Sequence, residues 1–175
     1  MILNDYSLHN RAERGMVKPY NPNHLQGCSI DLTLGPYIQI ETEAGEEKAF
    51  RALDLNERGP YQMAPGEFLL AHTSETIAIP DDCCGDLVLR SSAARAGFDH
   101  CLSGLIDPCF EGELTLELRN NLRNHTLDVY PGMRICQLVV HKLNYQTYHP
   151  YAERGHYQHQ TGARLSNYNF KNLAA

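Results

Sequence analysis

The chain has 175 residues, 42% of them hydrophobic and 21% charged, a composition that fits one globular domain with its own core and excludes a disordered or fibrous segment. A formal net charge of -6 and a pI near 5.8 argue against a surface built for polymeric nucleic acid or an anionic membrane, either of which needs a field of lysine and arginine. Any phosphate this protein binds must therefore be held locally.

The opening MILNDYSLHNRAERG puts Asn4 and Asp5 ahead of any apolar stretch, unlike the basic start and apolar core of a secretory signal. Apolar runs such as Ile135 to Val140, broken by Gln137, fall far short of the ~20 residues of a membrane span. A cytoplasmic protein with no membrane partner is expected. Asn4 or Asp5 caps one short helix running through Leu8 and Ala12 to Gly15. Beyond it Ile30, Leu32 and Leu34 alternate with Asp31 and Thr33; Leu114, Leu116 and Leu118 alternate with Thr115, Glu117 and Arg119; and Met133 to Leu143 is a further strand-like run. These read as half-buried strands.

Turn signals recur at Gly35-Pro36, Gly59-Pro60, Pro65-Gly66, Pro80-Asp81-Asp82 and Pro131-Gly132, the close spacing of an all-β sandwich or barrel. No helix of about 10 to 15 residues alternates with the strands, which speaks against a parallel α/β sheet. After Leu143 the chain turns polar and aromatic, with Tyr145, Tyr148, Tyr151, His156, Tyr157, His159, Tyr168 and Phe170 and few aliphatics. Such a tail buries little of itself, so it is either partly mobile or ordered by packing on a ligand or partner, as a closing lid would be. The whole chain is thus one domain, 1–175, with 145–175 as a C-terminal closing segment.

Six cysteines stand at 28, 83, 84, 101, 109 and 136, with no C-x-x-C pair and no Cys and His spacing that builds a tetrahedral zinc site. They read as small buried apolar side chains in a reducing compartment.

Two stretches can carry chemistry. Arg90-Ser91-Ser92-Ala93-Ala94-Arg95-Ala96-Gly97 follows the strand-like Leu87-Val88-Leu89 and reads as a strand entering one helical turn. Serine at the cap, free backbone N–H groups, two hydroxyls and the forks of Arg90 and Arg95 together make a compact phosphate cradle. Taken alone, a capped helix with two surface arginines is the commoner explanation. The second stretch is Gly104-Leu105-Ile106-Asp107-Pro108 and then Gly112 to Leu118. With the leucines turned to the core, Thr115 and Glu117 share the opposite face of one strand. A strand glutamate is usually just solvated; as a general acid and base it would need a partly desolvated carboxyl. Asp107 is an ordinary turn opener or a contact to a sugar hydroxyl or a water, and Gly104 beside it permits close backbone approach.

Taken together, RSSAAR, GLIDPCFEGELTLELRN, YPGMRICQL and HYQHQTG, with MILNDYSL and CSIDLTLG, resemble the dCTP deaminase family, which is similar in fold to trimeric dUTPases. The resemblance implies a mainly β fold, a distorted jelly roll or dUTPase-like β-barrel with a short N-terminal helix and few others. It implies a homotrimer with sites at subunit interfaces, dCTP and dUTP as ligands with dTTP as a candidate inhibitor, and Mg²⁺ carried on the triphosphate, with no metal held by protein side chains and no zinc. Residue by residue, Arg90, Ser91, Ser92 and Arg95 match the phosphate and water motif and Asp107 the deoxyribose contact. Thr115, Leu116 and Glu117 match the base-reading strand, with Glu117 at the proton-shuttling position. In the closing segment Tyr151 and Gln160 match, whereas His156 stands where many members place lysine and is charged only part of the time near neutral pH. The stretch from Gly97 to Asp107 is one residue shorter than usual, and His100 within it has a family counterpart. Gly104-Leu105 and Gln137 are similar to the bifunctional branch, which carries dCTP through to dUMP and pyrophosphate and so supplies dUMP for thymidylate synthesis. Monofunctional release of dUTP, a dUTPase that never deaminates, and a non-catalytic nucleotide-binding regulatory trimer are the alternatives; Glu117 favours deamination over a plain dUTPase, whose family usually has an apolar residue there.

Overall fold

The computed structural model describes residues 1–43, 49–101 and 104–167. Tyr168 and Phe170, assigned above to the closing segment, lie outside them, as do positions 102 and 103 of the shortened stretch.

Asn4 caps α1 (Asp5–Arg11), its side chain accepting the Ser7 N–H at 3.1 Å, and Leu8 is buried on the inner face. The expected helix to Gly15 is shorter as an α-helix, because the chain widens into a π turn over Ala12–Met16 before β1 (Val17–Lys18). The strands that follow are β2 (Ile30–Thr33), β3 (Tyr37–Glu41) and β4 (Phe50–Asp54), then a single turn α2 (Leu55–Arg58) and β5 (Tyr61–Met63). The long β6 (Phe68–Ala78) and β7 (Cys83–Leu89) lead into α3 (Ser91–Ala96), β8 (Phe98–His100) and β9 (Leu105–Ile106). The long β10 (Glu111–Asn120), β11 (Leu127–Val129), β12 (Arg134–Lys142) and a last turn α4 (Tyr151–Arg154) complete the order.

All strand pairings are antiparallel. One sheet runs β4-β3-β6-β10-β8 with β1 added on β6, a second runs β2-β12-β7-β9, and β5 pairs with β11. Leucine, isoleucine and valine from both larger sheets and from β11 meet in one buried cluster, among them Leu32, Ile38, Leu69, Leu116, Val129 and Leu138. The mainly β architecture with few short helices is the one the turn spacing predicts. Among the described residues no helix is long and apolar enough to cross a membrane.

Two expectations are corrected. The strand around Ile30 to Leu34 is not half-buried, because Asp31 is inside together with its aliphatic neighbours, and on β6 His72, Thr73 and Glu75 are buried as well. Buried polar groups persist only when partnered. Glu75, for example, accepts the N–H of Thr33 at 3.0 Å and its hydroxyl at 2.7 Å. Burial still pushes its carboxyl above the ordinary range, against the pull of those bonds. The cysteines are not uniformly buried either. Cys83 and Cys136 are, and burial pushes both thiols up, Cys83 to about 11. Cys28 is exposed and Cys84, Cys101 and Cys109 are half-covered. Cys28 precedes β2, Cys101 follows β8 and Cys109 lies in the turn before β10, where the chain leaves the sheets.

Candidate active site

The alternation along β10 holds: Leu114, Leu116 and Leu118 face the core, while Glu113, Thr115 and Glu117 are half-buried on the other face. A cavity of about 770 Å³ opens there, within the size range of small-molecule sites. Leu105, Asp107, Thr115, Glu117, Tyr151 and Gln160 all line it. These six, chosen from widely separated stretches of sequence, are brought together by the fold. Phe50, Phe68 and Leu70 supply an apolar wall.

Local structure fixes the chain around these residues. The main chain beside Glu117 is fixed because its carbonyl accepts the Cys101 N–H at 3.0 Å, with His100 Nδ1 3.4 Å from the same oxygen. Asp107 opens the turn into β10, its carbonyl accepting the Phe110 N–H at 3.2 Å. It is therefore both a turn opener and a cavity wall. Tyr151 is tied to that turn, since its N–H donates to the Pro108 carbonyl at 2.9 Å and its ring meets Phe110 edge-on at 5.4 Å. Its hydroxyl accepts the Tyr157 N–H at 3.1 Å. Gln160 donates through Nε2 to the Glu113 carbonyl at 2.7 Å. Gly112 makes that approach feasible, because a Cβ there would lie 3.0 Å from the Gln160 nitrogen. Gly104 does permit a close approach, but of backbone to backbone: the Leu87 N–H donates to its carbonyl at 2.7 Å, and a Cβ would sit 2.8 Å from the Leu87 carbonyl oxygen.

The arginine stretch lies elsewhere. Arg90, Ser91, Ser92 and Arg95 are not among the residues lining the cavity. Arg90, with extended backbone, occupies the cap position of α3 and makes no side-chain cap bond, so Ser91 and Ser92 are the first helical residues and neither is the expected serine cap. Both serines and Arg95 are exposed. Arg90 Nε instead lies 3.2 Å from Asp31, which is 1% exposed and also faces Arg134 at 3.5 Å and Gln26 at 3.3 Å. Gln137 accepts the Ser29 hydroxyl at 3.1 Å and pairs in register with Asp31, away from the cavity. His156 is exposed and outside the lining, its carbonyl accepting Asn167 Nδ2 at 3.4 Å. Leu116, expected among the base-reading residues, turns its side chain into the core at 1% exposure, so only its backbone is left for that role.

Tyr157, Arg164 and Ser166 also line the cavity; sequence reasoning placed them in the closing segment but gave none of them an individual contact. The polar, aromatic character of the tail was the signal available. Glu113 was also missed, although it shares the period-2 face with Thr115 and Glu117. Among the described residues no three or more His, Cys, Asp or Glu side chains are grouped to hold a metal ion.

The fold and cavity define a class: an antiparallel β protein whose cavity is lined by two carboxylates, Glu117 on a strand face and Asp107 on a turn. Residues 2–143 match the family model described as dCTP deaminase-like. A protein of Dictyoglomus thermophilum named "dCTP deaminase, dUMP-forming" is 33% identical over 97% of this chain and 95% of its own length. One of the same name from Thermobifida fusca is 35% identical over 93% and 90%. In fold, the crystal structure of 2'-deoxycytidine 5'-triphosphate deaminase from Agrobacterium tumefaciens superposes with a TM-score of 0.66 at 19% identity, covering 79% of this chain and 47% of that one. The chain belongs to the dCTP deaminase-like family.

Proposed function

We propose that this protein deaminates dCTP with a water activated by Glu117 and hydrolyses the product onward to dUMP and pyrophosphate. The observation that carries this reading is the meeting of Glu117, Thr115 and Asp107 on one cavity, in a chain about one-third identical over nearly its full length to proteins named for that conversion.

Glu117 takes a proton from water as the oxygen adds to C4 of the cytosine ring and passes that proton to N3. The carboxylate then takes the remaining proton from the C4 hydroxyl and gives it to the amino group, the C4–N bond breaks, ammonia leaves and a carbonyl remains at C4. Thr115, on the same face of β10, orients the base, and Asp107 contacts the deoxyribose. For the second step Asp107 orients a water toward the α-phosphorus; the new P–O bond replaces the bond to pyrophosphate, leaving dUMP. That product is what a thymidylate-forming methylation consumes. Magnesium enters with the substrate, on the triphosphate, and no zinc is required. Gly104-Leu105 and the Leu105 side chain at the cavity favour the two-step outcome. The arginine stretch completes the site from a neighbouring subunit of a homotrimer, a reading supported by its separation from the cavity within one chain. Tyr151, Gln160 and the rest of the closing segment exclude bulk water.

The test is to incubate the protein with dCTP and Mg²⁺, with and without dTTP, and to separate dCTP, dUTP, dUMP and pyrophosphate. Formation of dUMP and pyrophosphate is expected. Accumulated dUTP would restrict the reading to deamination, and turnover of added dUTP but not of dCTP would overturn it. Inhibition by dTTP would identify it as a regulatory ligand.

A further inference from the structure

Glu113 has no part in the chemistry proposed above, yet its carboxylate is engaged from two sides beside the cavity. Its Oε2 lies 2.8 Å from Nδ1 of His72, and the same oxygen accepts the Gly162 N–H at 2.6 Å. His72 sits on β6 opposite Thr115 and is 2% exposed. Its tautomer follows from its other nitrogen: Nε2 faces the Tyr37 backbone N–H at 3.2 Å and must accept, so Nδ1 carries the proton and faces the Glu113 carboxylate in a close contact rather than an aligned hydrogen bond. The ring cannot swing away. The Tyr37 ring stacks on it at 5.9 Å, and Gly35 lies so close that a Cβ there would be 2.2 Å from Cε1.

A fixed, buried ring in the core thus backs the carboxylate that meets the backbone of the C-terminal segment. That segment runs along β10 through further bonds: Glu113 N–H to the Gln160 carbonyl at 3.0 Å, Gln160 Nε2 to the Glu113 carbonyl at 2.7 Å and Arg164 N–H to the Thr115 hydroxyl at 3.3 Å. Of these and the Gly162 bond, the Gly162 bond alone has a charged acceptor, which makes it the strongest of the set. Arg164 and Ser166, which line the cavity, follow within four residues. We propose that Glu113, braced by the buried ring of His72, is the latch that seats the closing segment over the cavity, a positioning residue for the reaction.

The experiment compares wild type, Glu113→Ala and Glu113→Gln as full chains. Hydrogen–deuterium exchange over 158–166 is read without nucleotide, alongside melting temperature and kcat and KM for dCTP. Loss of a hydrogen bond to a charged acceptor predicts exchange about tenfold faster across 160–164 in Glu113→Ala, and a KM raised by about the same factor with kcat changed less. Glu113→Gln keeps an acceptor oxygen and recovers part of both. The KM arm rests on the function proposed above; the exchange arm does not, so absent turnover in wild type would count against the function and leave the latch standing. Unchanged exchange over 160–164 in both folded variants would overturn the latch.

Discussion

The carboxylate half of the proposed site and its arginine half differ in how much one chain completes. The first is assembled from four distant stretches into a single cavity, with Asp107, Thr115, Glu117, Tyr151 and Gln160 on its walls. In the second, Arg95 on α3 is exposed, while the half-buried Arg90 that precedes the helix is tied at 3.2 Å to the buried Asp31 on β2 of the same sheet as β7. The chemistry of the base needs a sheltered, rigid carboxyl, which the inside of a fold provides. Capture of a triphosphate needs cations within reach of solvent, and these can be contributed by another copy.

The sharpest way to break this contrast is complementation. Glu117→Gln alone should lower ammonia release by at least about a hundredfold while leaving dCTP binding largely intact, as removal of a general base does. Arg95→Ala alone should raise KM by about tenfold through loss of a charge-assisted phosphate contact. Mixed and reassembled, the two variants should regain activity if the halves come from different subunits; mixtures no more active than the sum of their parts would place both halves in one chain. A smaller effect is expected from Asp31→Asn, which removes the charged acceptor of Arg90 and Arg134. Urea unfolding should show a loss of about 2 kcal/mol together with a raised KM. Loss of stability at unchanged KM would separate the brace from the binding function.

The least effect is expected from Asp82, which lies outside both halves and serves as the control. It accepts from Arg11 at 3.0 Å and from Lys142, and these partners hold its carboxyl well below the usual range. A depressed carboxyl stabilises the fold above its ordinary titration range, and the contribution is lost as pH falls through the lowered value. Asp82→Asn should therefore cost about 1 kcal/mol near neutrality, limited by partial solvent exposure, and the gap to wild type should close toward strongly acid pH with no change in dCTP turnover.

Much of this was readable along the chain. Leucines at 114, 116 and 118 set the inward face of β10, and that alternation assigned Thr115 and Glu117 to a common side before any coordinates. The same period contained Glu113, which passed unremarked because nothing in the sequence shows that His72, 41 residues earlier, lies behind it. The serines of RSSAAR look like helix caps, but the chain enters α3 one residue sooner, at Arg90, so they fall inside the first turn. The polar tail pointed to a segment ordered by something else. That Tyr157, Arg164 and Ser166 reach the cavity depended on where it docks.

What the amino-acid order determined by itself is therefore local: strand faces, turn positions, the β class, and the motifs that resemble a family, all of which depend on neighbours a few residues apart. The tertiary structure decided which polar groups are sheltered and by whom, because burial and pairing depend on contacts between distant strands. Asp31 became the anchor of an arginine and Glu113 the partner of a buried histidine for that reason.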